Sequence, residues 1–234
     1  MLREHHRWYS HRLGRDMDIL VYGHYGSPIV AFPTSGGDHR EYEGQGMIEA
    51  IAHHIDAGKV KVFCVDTANN QSWYNKQAHP RHRSYVQAMY DAYMSSEVAP
   101  FIHDHCRSPG IAITTTGSSF GAYHAANTLL KHPDLFRRCL ALSGVYDIRG
   151  FMDGDYDDNF YFNNPVDYMA SLSDPGTSTT CISATSAWPR GTAPSKTAAR
   201  PIGWPRSCAP RESRTPWTTG ARTAATTGPS GSAR

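Results

Sequence analysis

The chain has 234 residues, 39% of them hydrophobic, which is enough for one sizeable core and for one domain or two. Formal charge is only +2 with neutral histidines, and basic residues are scattered among acidic ones, which argues against a nucleic-acid partner. No segment approaches the roughly 18 apolar residues of a membrane span, and the opening Met-Leu-Arg-Glu-His-His-Arg-Trp has no apolar stretch behind its charges, so no membrane partner is expected and the protein reads as soluble and unexported. Five cysteines, Cys64, Cys106, Cys139, Cys181 and Cys208, form no C-x-x-C pair and are odd in number. They argue against a disulfide framework or a zinc site and favour a reducing cytoplasm.

Alternating apolar and polar residues predict strands over Arg7 to Leu13 and Met17 to Tyr22, joined in a hairpin by Gly14-Arg15-Asp16. The run Ile29-Val30-Ala31-Phe32 reads as a strand buried on both faces. A helix is expected over Tyr42 to His54, stopped near Gly58. Val60 to Val65 repeats the buried-strand pattern, Ser84 to Cys106 reads as a long helix, and Ile111 to Thr116 as a third buried strand. A helix over Ala122 to His132, ended by Pro133, and a fourth buried strand over Cys139 to Ser143 follow. A hairpin feeding strand–helix repeats implies an α/β fold, a mostly parallel sheet with helices on both faces.

Between the third buried strand and its helix stands Gly117-Ser118-Ser119-Phe120-Gly121. Gly-x-Ser-x-Gly is weak evidence alone, but strand–turn–helix is the setting in which such a serine sits on a strained turn with its Oγ exposed. The spacing puts Ser119, not Ser118, at the centre, as the candidate nucleophile. Phe120 then supplies the backbone N–H after it, one half of an oxyanion hole. The other half is expected from the loop Pro33-Thr34-Ser35-Gly36-Gly37-Asp38, with Gly36 and Gly37 as the donors.

At these residues the chain resembles the esterase family of α/β-hydrolases that includes esterase D-like enzymes and, more distantly, the mycolyltransferases. Three segments carry the likeness: Phe32 to Asp38, Gly117 to Tyr123, and Leu140-Ala141-Leu142-Ser143-Gly144-Val145-Tyr146-Asp147. It covers residues 1 to about 175 and implies acyl transfer from a small-molecule carboxylic ester through an acyl-serine, without a cofactor or metal. The resemblance also implies that Trp73 and Tyr74 border the substrate pocket, although both aromatics fit core or surface packing equally well.

In this fold the triad runs in chain order Ser, Asp or Glu, His. Here the last histidine is His132, on the helix after Ser119 and expected to point away from it. His39 and His124 would have to reach the serine by unusual routes. Asp147, just after a strand end, is the candidate acid. Asp153, Asp155, Asp157 and Asp158 resemble the start of a calcium loop but lack its sixth-position glycine and twelfth-position glutamate, and read as a solvated loop.

Composition changes near residue 175. From Gly176 to Arg234, 50 of 59 residues are Thr, Ala, Ser, Pro, Arg or Gly, too few large apolar side chains to order the segment. The chain therefore divides into an incomplete α/β-hydrolase domain, 1–175, lacking its C-terminal strands, and a tail, 176–234, that is low-complexity and disordered or else frame-shifted. Read one base late, a Thr codon hides Tyr, His, Asn or Asp. Under that rule Ala224-Ala225-Thr226-Thr227-Gly228-Pro229 reads back as Gly-Gly-His-Asp-Trp-Pro, which resembles the family's base-bearing segment. Thr192 to Thr197 permits His-Gly-Pro-Phe-Glu-Asp, like its acid-bearing loop, and Gly176 to Thr180 permits Trp-Tyr-Leu-His-His. The expectation is an esterase-like hydrolase inactive or severely impaired as translated, and poorly soluble for want of its last strands. The alternative is a non-catalytic binding protein on a hydrolase scaffold.

Overall fold

The computed structural model describes residues 1–171 and 180–184. The expectations placed on 172–179 and 185–234, including the read-back acid and base, lie outside the described residues. Strands β1 (Arg3–Ser10), β2 (Arg15–Tyr22), β3 (Ser27–Phe32), β4 (Val60–Val65), β5 (Ile113–Ser118), β6 (Phe136–Leu142) and β7 (Thr180–Ala184) form one seven-stranded sheet. Its order is β1-β2-β4-β3-β5-β6-β7. β2 runs antiparallel to β1 and β4, and the remaining pairs from β4 to β7 are parallel. β7 lies inside the tail that composition had marked as disordered, so that expectation fails at Thr180–Ala184, where pairing with β6 makes a strand of a segment without apolar alternation.

The opening hairpin is longer and shifted relative to its pattern. β1 starts at Arg3 because Arg3 and Glu4 pair with Tyr22 and Val21, and it ends at Ser10, where Gly14 N–H bonds Ser10 O at 2.8 Å with Gly14 at φ 66°. The polar Arg-Glu-His-His start of β1 hides this from hydropathy. The expected helix over Tyr42 to His54 is three short pieces, α1 (Glu41–Gly44), α2 (Met47–Ala50) and α3 (Ala52–Asp56). Gly46 takes φ 71°, a left-handed turn that ends the first piece.

The long helix begins earlier than expected, at Pro80, with His79 Nδ1 accepting from Arg81 N–H as its cap. It runs as α4 (Pro80–Tyr93), a π-helical stretch over Met94–Val98, and α5 (Ala99–His105). Pro100 has no N–H for the carbonyl one turn back, and the wider π turn absorbs that missing bond. Helix α6 (Phe120–Lys131) follows β5 directly. A 3₁₀ turn at Arg149–Phe151, α7 (Asp158–Tyr161) and α8 (Pro165–Ser171) complete the described helices.

Side-chain alternation along the strands feeds two cores. Met17, Ile19, Val21, Val30, Phe32, Phe63 and Val65 pack with Tyr90, Tyr93 and Val98 on one face, and with Ala122, Ala125 and Leu129 of α6. Leu20, Tyr22, Ala31, Val62 and Cys64 face Ile48 and Ile55 on the other. The acidic run after β6 is bound to α4: Asp153 pairs with buried Arg83 at 2.8 Å and Asp155 with Arg81 at 3.0 Å, while Asp157 caps α7 through Phe160 N–H at 2.7 Å. These aspartates anchor a loop.

Candidate active site

Ser119 stands at the end of β5 with φ 55° and ψ −117°, a backbone conformation that costs an L-residue on the order of 1–3 kcal/mol. Two approaches impose it. A Cβ on Gly117 would lie 2.3 Å from the carbonyl carbon of Gly121, and a Cβ on Gly121 would lie 2.4 Å from Phe32 O and 2.6 Å from Pro33 O. The flanking glycines therefore let β5, α6 and the end of β3 meet at backbone contact. The turn is tied down from β6, where Leu142 O accepts from Ser119 N–H at 2.9 Å.

Phe120 opens α6, so its N–H has no carbonyl of its own helix to bond, and none of the described groups accepts from it. The loop after β3 reaches the same place, since the backbone of Gly121 packs against Phe32 and Pro33. Within that loop the two glycines differ. Gly37 N–H already bonds Thr34 O at 3.1 Å, whereas Gly36 N–H bonds no described acceptor. A Cβ on Gly37 would sit 1.9 Å from Glu41 Oε2, and that carboxylate holds the loop by accepting from Thr34 N–H at 2.6 Å and Thr34 Oγ1 at 2.7 Å. Glycine at 37 thus makes room for Glu41, and Gly36, like Phe120, has a backbone N–H that bonds no described acceptor.

Asn69 links this loop to α6, donating from Nδ2 to Ser35 O at 3.5 Å while its Oδ1 accepts from His124 Nε2 at 2.8 Å. Neither Glu41 nor Asn69 carries a motif, and Asn69 lies 55 residues from His124 in the chain, so hydropathy and spacing have no purchase on them. Tyr74, 38% exposed, sets its ring edge on Phe120 at 5.2 Å between centroids and so borders the turn. Trp73 lies inward of it, in one packed cluster with Phe120. Its side chain is wholly buried among Phe160, Tyr123 and Met152, with Nε1 donating to Tyr123 OH at 3.3 Å.

No described side chain hydrogen-bonds Ser119 Oγ, and all 13 histidines of the sequence lie among the described residues. His124 is buried between Phe32, Tyr90 and Phe120, and burial pushes its imidazole down to about 3, against the partial opposition of Asp91. It is a neutral core group. His132 bonds Asp91 Oδ1 at 3.1 Å and so faces α4, as its helical position foretells. His39 stacks on His5 at 5.6 Å. Asp147, the candidate acid, is exposed and pairs with Arg149 at 2.8 Å, not with an imidazole.

The family model described as Putative esterase matches residues 10–226. The chain belongs to this esterase family. No curated protein sequence matches it. Among solved structures, the S-formylglutathione hydrolase of Agrobacterium tumefaciens superposes with TM-score 0.60 at 18% identity, covering 78% of this chain and 74% of that one. MPT51 (FbpC1) of Mycobacterium tuberculosis gives TM-score 0.57 at 14% identity over 78% of this chain and 74% of that one. The apoenzyme of S-formylglutathione hydrolase (FrmB) from Staphylococcus aureus aligns over 67% of this chain and 63% of its own, at 16% identity and TM-score 0.48. The first two likenesses, both above a TM-score of 0.5, establish the α/β-hydrolase fold for this esterase-family chain. No helix among the described residues is long and apolar enough to cross a membrane.

Proposed function

We propose that this chain is the nucleophile-bearing part of a serine carboxylic-ester hydrolase, and that as written it is severely impaired for want of an acid–base pair. The observation that carries the reading is Ser119 in its strained turn, with an unpaired Phe120 N–H beside it and the start of the Gly36 loop packed against Gly121. Ser119 Oγ would attack the carbonyl carbon of a small-molecule ester. The new C–O bond forms as the carbonyl electrons move to oxygen, which Phe120 and Gly36 N–H groups stabilise. Collapse expels the alcohol and leaves an acyl-serine, which water hydrolyses. Tyr74 forms part of the rim.

With no imidazole bonded to Oγ, the serine proton passes to solvent. Loss of a triad base removes several orders of magnitude of rate and leaves what binding and the oxyanion donors supply. The base and acid are encoded downstream in the neighbouring reading frame, with histidine at the position read as Thr226. The free thiols of Cys64 and Cys106 fit a reducing cytoplasm.

The test is a fluorophosphonate-type serine probe and a p-nitrophenyl ester assay, with Ser119→Ala as control, alongside sequencing of the gene across the codons for Asp174 to Thr180. Weak labelling confined to Ser119, negligible turnover, and a lost or gained base are expected. Brisk Ser119-dependent turnover would refute the impairment, and an intact frame would remove the slip. One observation favours a second reading, a non-catalytic binding protein on this scaffold: every histidine lies off Ser119 Oγ. That reading requires an intact frame and no labelling at Ser119.

A further inference from the structure

At the other edge of the molecule, Glu4 and His6 alternate along β1 and so share the face that packs on α5, which His105 ends. His6 Nε2 and His105 Nε2 lie 3.1 and 3.0 Å from the same oxygen, Glu4 Oε2. The three potential ligand atoms all lie within 4.8 Å of one another. Four ligands at zinc bond lengths stand about 3.3 Å apart in a tetrahedron, so shifts on the order of an ångström or less bring these atoms around one ion. The rings are positioned: Phe101 packs its edge against His6 at 5.0 Å, and Phe63 against His105 at 5.6 Å. The side chains are drawn in from solvent, at 30%, 32% and 13% exposure for Glu4, His6 and His105.

Glu4 and His105 also line a cavity of about 960 Å³ beside the starts of β3 and β4, at the opposite end of the parallel strands from Ser119. Its wall includes Lys59, Lys61 and Arg107, and Lys61 is 4% exposed with no ion pair among the described residues. We infer that Glu4, His6 and His105 form a binding site for a divalent transition metal, zinc by its ligand set, with water or a small anion from the cavity as fourth ligand. Two imidazoles and one carboxylate with an open position suit zinc better than the oxygen-seeking calcium or magnesium. The cationic wall favours an anionic fourth ligand, which offsets the charge of the ion. The site ties an edge strand to the end of the long helix, so occupancy raises the stability of the fold by mass action.

The experiment titrates zinc chloride into the metal-stripped full chain against a chromophoric chelator, with thermal unfolding in parallel. One zinc per chain is expected, with affinity at least tenfold weaker in Glu4→Gln and in His105→Gln. His39→Gln, in the second group formed by His5, Asp18 and His39, is expected to leave it unchanged. In the unaltered chain, zinc should also protect His6 and His105 from diethylpyrocarbonate, a readout that holds if a variant fails to fold. No zinc uptake, uptake that survives both substitutions, loss in His39→Gln instead, or unprotected His6 and His105 would each overturn the site.

Discussion

Two neighbouring strands each end in a serine with positive φ: Ser119 after β5 at 55° and Ser143 after β6 at 50°. Only one of them has the surroundings on which the proposed nucleophile rests. Ser119 is followed directly by a twelve-residue helix that leaves Phe120 N–H unpaired, and its glycines are demanded by backbone atoms. Ser143 is followed by Gly144, whose hypothetical Cβ would first meet the side chain of Tyr146, at 2.4 Å, and then by an irregular loop in which Asp147 pairs with Arg149. Backbone strain alone therefore does not mark a nucleophile. The proposal for Ser119 rests on strain joined to a helix start and an adjoining loop with an N–H that bonds no described acceptor.

The sharpest way to break that comparison is labelling. Ser119→Ala should abolish reaction with a fluorophosphonate-type probe while Ser143→Ala leaves it intact, read by mass spectrometry of the labelled peptide. Next in size, Gly121→Ala should destabilise the fold by about 4 kcal/mol or more, or prevent folding, because its Cβ meets backbone oxygens that cannot move aside. Gly144→Ala displaces only a side-chain ring and should cost about 1–2 kcal/mol in denaturant unfolding.

Acid should act through α6. His124, with its pKa pushed down from 6.5 to about 3, stays neutral in the fold while the unfolded chain takes up a proton. Its contribution is fully present above pH 6.5 and is lost as pH falls toward 3, by about 3 kcal/mol at pH 4. His124→Gln should flatten that part of the stability–pH curve. Asp91 adds to the acid loss: despite the opposing effect of burial, His132 and Lys131 hold its carboxyl below the ordinary range, so its contribution disappears as pH falls through that lowered value. The smallest effect belongs to Asp147→Asn. An exposed pair with Arg149 contributes at most about 1 kcal/mol, and probe labelling at Ser119 should not change. A large loss of labelling in that variant would restore Asp147 as a functional acid.

Much of this was legible in the chain because the signals are local. The β4 run Val60 to Val65 matches its pattern residue for residue, and Gly117 to Gly121 announces its turn because both glycines lie within a few residues of the serine they serve. The limits of β1 were hidden because its first residues are polar and become a strand only by pairing with β2. The break at Gly46 and the π turn before Pro100 depend on φ values and lost bonds that hydropathy averages away.

Within the site, local chemistry was enough to name Ser119 as the candidate nucleophile, Phe120 as its neighbour and the loop that meets them, and composition was enough to show that no histidine follows His132. Folding settled which partner each side chain takes. Near in sequence, it gave Gly37 to Glu41 and paired Asp147 with Arg149; across the chain, it buried Trp73 among Phe160, Tyr123 and Met152 and locked His124 onto Asn69 as a neutral core group. It also gathered Glu4, His6 and His105 around one oxygen across 101 residues of chain, a contact that neither hydrophobic period nor motif spacing encodes. Periodicity reports which face a residue takes, while the identity of its partner is decided only when elements pack.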